Sequence, residues 1–99
     1  HTCLIGHTHR PVTFFMKGLD VNYAMDAQVL IEEGVRYLIN VGSVGQPRDG
    51  NPHACYCVYD STAHIFQHKR VPYDIYTAQK KIQDAGQPHM FADRLPQGK

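Results

Sequence analysis

Two histidines near the start of the chain have the residue type and spacing that most favour chemistry. They lie in the run Gly6-His7-Thr8-His9, directly after a short apolar segment. In extended chain, side chains two positions apart point to the same side, about 6.5 Å apart. Two imidazoles placed in this way predict ligands for two metal ions lying about 3.5 to 4 Å from each other. Taken alone, the pattern is equally compatible with two exposed loop histidines.

The other histidines and the three cysteines offer weaker chemistry. His53, Cys55 and Cys57 alternate along one predicted strand, but their spacing matches no zinc motif. We therefore expect the two thiols to pack as small apolar side chains. His64 and His68 are predicted to share an exposed strand face. The odd number of cysteines favours a reducing, cytoplasmic compartment.

Length and composition limit the class of protein. The 99 residues form at most one domain, and 42% hydrophobic with 19% charged residues is typical of a folded chain. The formal net charge of +1 provides no strong field for nucleic acid or a membrane surface. No apolar run approaches the roughly 18 to 20 residues of a membrane-spanning helix. The first residue is His1 rather than Met, so we expect a removed initiator segment or a piece of a longer chain.

The elements that must position the two histidines are mostly strands. The strand-like runs cover residues 2–5, 12–16, 28–32, 36–41, 54–59 and 64–71. The third and fourth runs flank Glu33-Gly34, which predicts a hairpin, with a helix over 24–33 as the competing interpretation. Residues 19–27 have no clear periodicity, which predicts a loop or a short strand. Three glycines and two prolines make residues 42–52 a loop.

The last quarter of the chain changes to helical periodicity. Asp74 fits a helix N-cap, and the apolar residues at 75, 78, 82 and 85 fall near helical spacing. Gly86 fits the C-terminal end. The pattern therefore predicts a helix over about 75–85, and residues 90–95 predict a short second helix.

Three blocks of sequence resemble the calcineurin-like metallophosphoesterases of the bacterial and archaeal branch. The run Gly6-His7-Thr8-His9-Arg10-Pro11 resembles the last metal-binding block of that family, GHxH. Residues 38–50 are similar to the NPGSVGQPRDG block that follows it, except that Val41 replaces the usual proline, which we expect to relax the loop. Residues 70–74 match the RVPYD block of the same branch. The blocks occur in the family's order, so the resemblance covers the whole chain.

The resemblance implies an α+β fold. Antiparallel strands would form half of a metallophosphoesterase-type β-sandwich flanked by helices, with a C-terminal helix. Of the family's five metal-binding blocks (DxH, GDxxD, GNHD or GNHE, a lone His, and GHxH) only the last is present. Residues 1–99 are therefore expected to be the C-terminal portion of the domain, without the N-terminal blocks. Half a sandwich exposes an apolar face and an unpaired edge, which predicts self-association.

The resemblance also implies an activity for the parent protein. This would be the hydrolysis of phosphate mono- or diesters, in phosphorylated small molecules or nucleotides, by a hydroxide that bridges two divalent ions. His7 and His9 would each ligate a different ion, and manganese, iron, zinc and nickel all remain open. The residues expected to contact substrate or to brace the histidine loop are Arg10, Asn40, Ser43 and Arg48. Arg48 could instead pair with its neighbour Asp49 in a turn.

The isolated chain is expected to be inactive, because two histidines leave most of each coordination shell to water. The alternative interpretation is a non-catalytic assembly or regulatory module that pairs with another chain. An upstream reading frame containing the other metal-binding blocks would favour the enzyme over the module.

Overall fold

The protein is described by a computed structural model that covers residues 1–99, with seven strands followed by two short helices. The strands are β1 (Thr2–Ile5), β2 (Val12–Lys17), β3 (Asp20–Ala24), β4 (Gln28–Leu30), β5 (Arg36–Asn40), β6 (Ala54–Asp60) and β7 (Ile65–Val71). The helices are α1 (Ile75–Asp84) and α2 (His89–Asp93), and a 3-10 turn follows at Leu95–Gln97. The predicted α+β class and the C-terminal helix are confirmed. Neither helix is long and apolar enough to cross a membrane.

The seven strands form two sheets, with strand orders β1-β5-β2-β3 and β4-β7-β6. Four of the five strand pairings are antiparallel, and only β1 and β5 run parallel. Their parallel pairing sets Ile5 opposite Asn40 at the C-terminal ends of both strands. The loop that carries His7 and His9 leaves the sheet there, and so does the glycine-rich loop over residues 42–52. Two segments far apart in sequence therefore meet at one edge of the sheet.

The core lies between the two sheets. A buried cluster contains Tyr37 and Ile39 of β5, Val35 just before β5, and Phe66 of β7. The alternation along β5 explains this arrangement, since Tyr37 and Ile39 face inward while Leu38 between them is 38% exposed. Burial of each large apolar side chain contributes about 1.5–3 kcal/mol, which holds the sheets face to face.

The hairpin predicted across Glu33-Gly34 is wrong. β4 pairs with β7, whereas β5 pairs with β1 and β2 in the other sheet. Gly34, with φ of 79°, turns the chain from one sheet to the other. Val29 of β4 packs against the buried cluster that contains Tyr37. Burial of these side chains between the sheets outweighs a local hairpin, because β4 has only three residues to pair. The competing helix over 24–33 is also absent, and residues 20–24 form strand β3.

The C-terminal helices attach to the loop over residues 42–52. The Asp74 side chain caps α1 by accepting from the Thr77 backbone N–H at 3.0 Å, as the sequence predicted. The Gly50 N–H donates to the carbonyl oxygen of Gly98 at 2.9 Å. A Cβ at Gly98 would lie 2.8 Å from the backbone of Asn51, so only glycine permits this approach. The end of the chain is thereby fixed beside the loop that approaches the histidines.

Candidate metal centre

The loop over residues 6–9 has a left-handed rather than an extended backbone. His7 has φ of 74° and His9 has φ of 60°. The extended geometry assumed from the His-x-His spacing is therefore wrong, and Gly6 is not among the residues with positive φ. A left-handed residue with a side chain costs about 1 kcal/mol or more, and such residues concentrate at functional sites. Surrounding contacts must hold this loop in place.

His9 is oriented by a carbonyl group from the second loop. Its Nδ1 atom lies 2.7 Å from the carbonyl oxygen of Gln46. A carbonyl can only accept a hydrogen bond, so Nδ1 carries a proton, and in the neutral imidazole the lone pair is on Nε2. Histidines that bind metals typically have this arrangement, with the second ring nitrogen donating to a carbonyl or carboxylate. His9 is half-buried and His7 is exposed, so His7 is open to a ligand from outside the chain.

Asn40 connects the end of β5 to the histidine loop. Its side chain is 1% exposed, and Nδ2 donates to the Gly6 carbonyl at 2.9 Å and to Thr8 Oγ1 at 2.8 Å. Its Oδ1 accepts from the Gly42 N–H at 3.0 Å. All these partners are within the two loops, so the Asn40 side chain braces them and is not exposed to substrate. Thr8 lies between the two histidines, and this contact therefore helps to define their positions.

Ser43 and Gly42 shape the second loop. The Ser43 hydroxyl accepts from the Gln46 N–H at 3.0 Å, and its carbonyl accepts from the Cys55 N–H at 2.8 Å. Gly42 has φ of 82°, and a Cβ there would lie 2.7 Å from the sulfur of Cys55. Only glycine meets both conditions. Ser43 thus holds the residue whose carbonyl orients His9.

Val41 tightens the start of this loop, contrary to our expectation. Its N–H donates to the Ile5 carbonyl at 3.0 Å, which continues the pairing of β1 with β5 by one residue. The proline typical of the resembled block has no N–H and could not make this bond.

The two arginines lie on either side of the same backbone. Arg48 N–H donates to the His9 carbonyl at 3.1 Å, and its Nη2 donates to Gln46 Oε1 at 2.6 Å. Arg10 Nε donates to the Arg48 carbonyl at 2.9 Å while the side chain remains exposed. Asp49 forms an ion pair with Arg70 of β7, so the pairing of Arg48 with Asp49 considered from the sequence is wrong.

The cysteine thiols are not candidate metal ligands of this site. Burial raises the pKa of the Cys55 thiol and raises the pKa of Cys57 to about 11. Both thiols are therefore protonated near neutral pH, which disfavours metal binding. Their predicted role as packed apolar side chains is confirmed, because Cys55 is 2% exposed and Cys57 packs on the core cluster. All three cysteines are unpaired.

The prediction that His64 and His68 share an exposed strand face is wrong. His64 lies in the turn before β7 with φ of 55°. His68 is half-buried, and its Nε2 lies 2.8 Å from the backbone oxygen of Asn40. Sequence reasoning missed His68 and Gln46 as parts of this site. The Gln46 contact uses a backbone oxygen, for which no residue type gives a signal.

The described side chains do not form a complete metal site by themselves. No group of three or more His, Cys, Asp or Glu side chains comes together in a way that could hold an ion. His7 and His9 share one short loop, while Arg10, Asn40, Ser43 and Arg48 all contact that loop or the segment that supports it. The donor set of His9 fits a metal, with one nitrogen free and the other oriented.

Comparison with known proteins gives two informative matches. No family model matches the chain. An uncharacterized protein from Methanocaldococcus jannaschii is 38% identical over 92 residues, which cover 92% of this chain and 37% of that protein. A crystal structure of a metallophosphoesterase from Sphaerobacter thermophilus superposes with a TM-score of 0.82 and 33% identity. This match covers 99% of the chain and 42% of the metallophosphoesterase. The chain thus spans about two-fifths of the length of the proteins it matches.

The fold matches that of part of the Sphaerobacter thermophilus metallophosphoesterase. The match extends over both sheets and the C-terminal helices, because it includes nearly every residue of the chain. The fold class predicted from the three sequence blocks is confirmed.

Proposed function

We propose that this chain is the C-terminal part of a calcineurin-like phosphoesterase of the bacterial and archaeal branch, with His7 and His9 as ligands of two divalent ions. One observation carries the proposal: the Gln46 carbonyl accepts from His9 Nδ1, so the neutral imidazole would offer Nε2 to a ligand. Similarity in sequence and fold to a metallophosphoesterase supports it. The buried Asn40 side chain would keep both histidines in place.

The remaining ligands would come from a segment outside these 99 residues, since the chain gathers no group of three ligands. Two divalent ions, when bound, would lower the pKa of water and neutralise charge on the phosphoryl oxygens. Imidazole nitrogens suit manganese, iron, zinc and nickel, so the residues leave the metal open. The chain's own contribution is to orient His9 through Gln46 and to present His7 at the surface.

The substrate would be a phosphorylated small molecule or a nucleotide in the cytoplasm. Arg10 is exposed three residues beyond His7, with its Nε held by the Arg48 carbonyl. The outer nitrogens of the guanidinium are therefore available to a phosphoryl oxygen, which arginine binds well through paired N–H groups. Arg48 would act mainly on the loop, because it donates to Gln46 and to the His9 carbonyl.

The test has two stages. The reading frame upstream of residue 1 should encode a strand ending in Asp-x-His and a Gly-Asn-His block. The full-length protein, loaded with Mn²⁺, should then hydrolyse a chromogenic aryl phosphate or its diester, and the ratio of the two rates would define the substrate class. Absence of hydrolysis from both esters, in a protein that contains these blocks and binds two ions, would contradict the proposal.

A non-catalytic module is the second candidate, and one observation favours it. With two candidate ligands and no third, the chain by itself does not complete a metal site. If the reading frame begins just before residue 1 and the chain is recovered from its source in a complex with another polypeptide, this candidate replaces the enzyme.

A further inference from the structure

We infer that His68 is a positioning residue for the loop that carries His7 and His9. It acts through Asn40, from the opposite sheet, and it would not touch a metal ion or substrate. The inference rests on the proposed function, because it assigns to His68 an effect on metal binding by that loop.

His68 connects the two sheets by a hydrogen bond. His68 lies on β7 in the three-stranded sheet, and its Nε2 is 2.8 Å from the backbone oxygen of Asn40 at the end of β5. The oxygen can only accept, so Nε2 carries a proton and donates. His68 is half-buried, and in partly dry surroundings such a bond is stronger than on the surface.

Asn40 connects His68 to the loop that carries His7 and His9. The same residue whose backbone accepts from His68 extends its side chain to Gly6 and to Thr8 Oγ1. Asn40 is 1% exposed and has a short side chain, so a shift of its backbone would move the side-chain amide as well. A shift of the Asn40 backbone would therefore displace Thr8, which stands between His7 and His9.

Apart from Asn40, little surrounds the imidazole of His68. His68 lines a cavity of about 140 Å³ together with Pro11, Asp26 and Asp49, so close packing does not surround the ring. Its neighbour on the same strand face, Arg70, is engaged by Asp49. The bond to Asn40 is thus the contact that defines the ring's orientation.

The experiment uses the full-length protein and three substitutions. His68→Leu removes the donor, His68→Gln keeps an N–H group near the Nε2 position, and His53→Leu is the matched control at an exposed histidine. Binding of Mn²⁺ is measured by titration calorimetry, and the visible spectrum of bound Co²⁺ reports ligand geometry. In the metal-free protein, NMR measures how fast the Asn40 side-chain amide protons exchange with solvent.

We expect His68→Leu to weaken Mn²⁺ binding roughly tenfold, near the lower end of the losses seen when a group that orients a ligand is removed. The Co²⁺ spectrum should shift, and the Asn40 amide should exchange severalfold faster without metal. His68→Gln should restore affinity to within about threefold of the parent, and His53→Leu should match the parent. If His68→Leu does not fold, His68→Asn, whose amide is too short to reach Asn40, replaces it.

Parent-like affinity, spectrum and exchange in His68→Leu would overturn the inference, even if its melting temperature falls, because the role would then be structural only. That result would leave the proposed function standing, provided that the parent binds two ions and His7→Ala loses metal. A parent protein that binds no metal would overturn both.

Discussion

The Nδ1 atom of His9 lies 2.7 Å from the carbonyl oxygen of Gln46, 37 residues further along the chain. The contact joins the two sequence blocks whose resemblance to metallophosphoesterases is most specific. It exists because β1 and β5 run parallel and release both loops at the same edge of the sheet. The pairing of two strands therefore decides which nitrogen of a histidine is free to bind a ligand.

If the proposed function holds, substitution of either histidine should disable the full-length protein. Each of His7→Ala and His9→Ala would then remove one of a few protein ligands from its ion, so turnover should fall by orders of magnitude and metal content should fall with it. The double variant should lose about as much as one single variant, because groups that act as a unit are not additive. Hydrolysis of a chromogenic aryl phosphate and metal counted per chain are the measurements.

The controls for this pair are His53→Ala and His64→Ala, both at exposed positions. These variants should retain the parent rate and metal content. Near-parent rates and full metal in both His7→Ala and His9→Ala would show that the assignment of these two residues is wrong.

Asn40→Asp should destabilise the protein without changing the size of the side chain. It replaces the amide donor that faces the Gly6 carbonyl by an acceptor, so this half-buried carbonyl oxygen loses its partner and faces another oxygen. We expect a loss of about 1–3 kcal/mol in the free energy of unfolding, measured by urea denaturation. Asn22→Asp, at an exposed position of β3, is the control and should stay close to the parent. Equal stability of the two variants would show that the Asn40 side chain does not brace the histidine loop.

Gly42→Ala should be among the most damaging changes in the loop over residues 42–52. The new Cβ would lie 2.7 Å from Cys55 Sγ, on a backbone with φ of 82°. Left-handed strain and overpacking together should cost about 2–4 kcal/mol in the free energy of unfolding. Gly45→Ala in the same loop adds a Cβ in open space and should be nearly neutral. The stabilities of both variants are measured by chemical denaturation, and similar unfolding midpoints would contradict the prediction.

Alkaline pH should destabilise the protein partly through Cys57. Burial raises the pKa of this thiol to about 11, above the roughly 8.5 of an unfolded cysteine. The folded state therefore holds the proton more tightly, so this contribution is fully present below about pH 8.5 and is lost as pH rises toward 11. Under reducing conditions, Cys57→Ala should lose less stability between pH 8.5 and 11 than the parent, whereas Cys3→Ala should follow the parent. An unchanged pH dependence in Cys57→Ala would exclude this effect.

The 99-residue chain alone should self-associate. β1 and β6 are edge strands of their sheets. Each carries an exposed apolar side chain, since Leu4 of β1 is 53% exposed and Tyr59 of β6 is 47% exposed. Unpaired edges and exposed apolar side chains favour association with a second copy. Sedimentation at tens of micromolar should detect dimers or larger species, and Leu4→Lys should reduce them. A monomer that melts cooperatively would disprove this expectation.

Sequence reasoning predicted the elements better than their partners. The runs at 2–5, 12–16 and 54–59 became strands because alternating β-branched and aromatic residues favour strands locally. The pairing of β4 with β7 and the parallel pairing of β1 with β5 depend on residues far apart in the chain. Packing of Val29 on the cluster around Phe66 favours the pairing of β4 with β7, and no local pattern encodes either pairing.

The same limit applies to the candidate metal centre. His7 and His9 were found from the sequence because residue type and spacing carried the signal, but their roles remain predictions. Their left-handed backbone was not predicted, since it is held by Asn40 and Gln46 from another segment. His68 looked like an exposed strand histidine because its partner, a backbone oxygen, leaves no trace in the sequence.

The inward face of β7 changes character along its length. Phe66 packs in the core, His68 donates to a backbone oxygen and Arg70 forms an ion pair with Asp49. Alternation of inward and outward side chains penalises a one-residue slip of a strand but allows a slip of two. A two-residue slip here would bring either His68 or a polar turn residue into the place of Phe66. The gradient from apolar to charged contacts therefore specifies the register of this strand during folding, where alternation alone would leave it ambiguous.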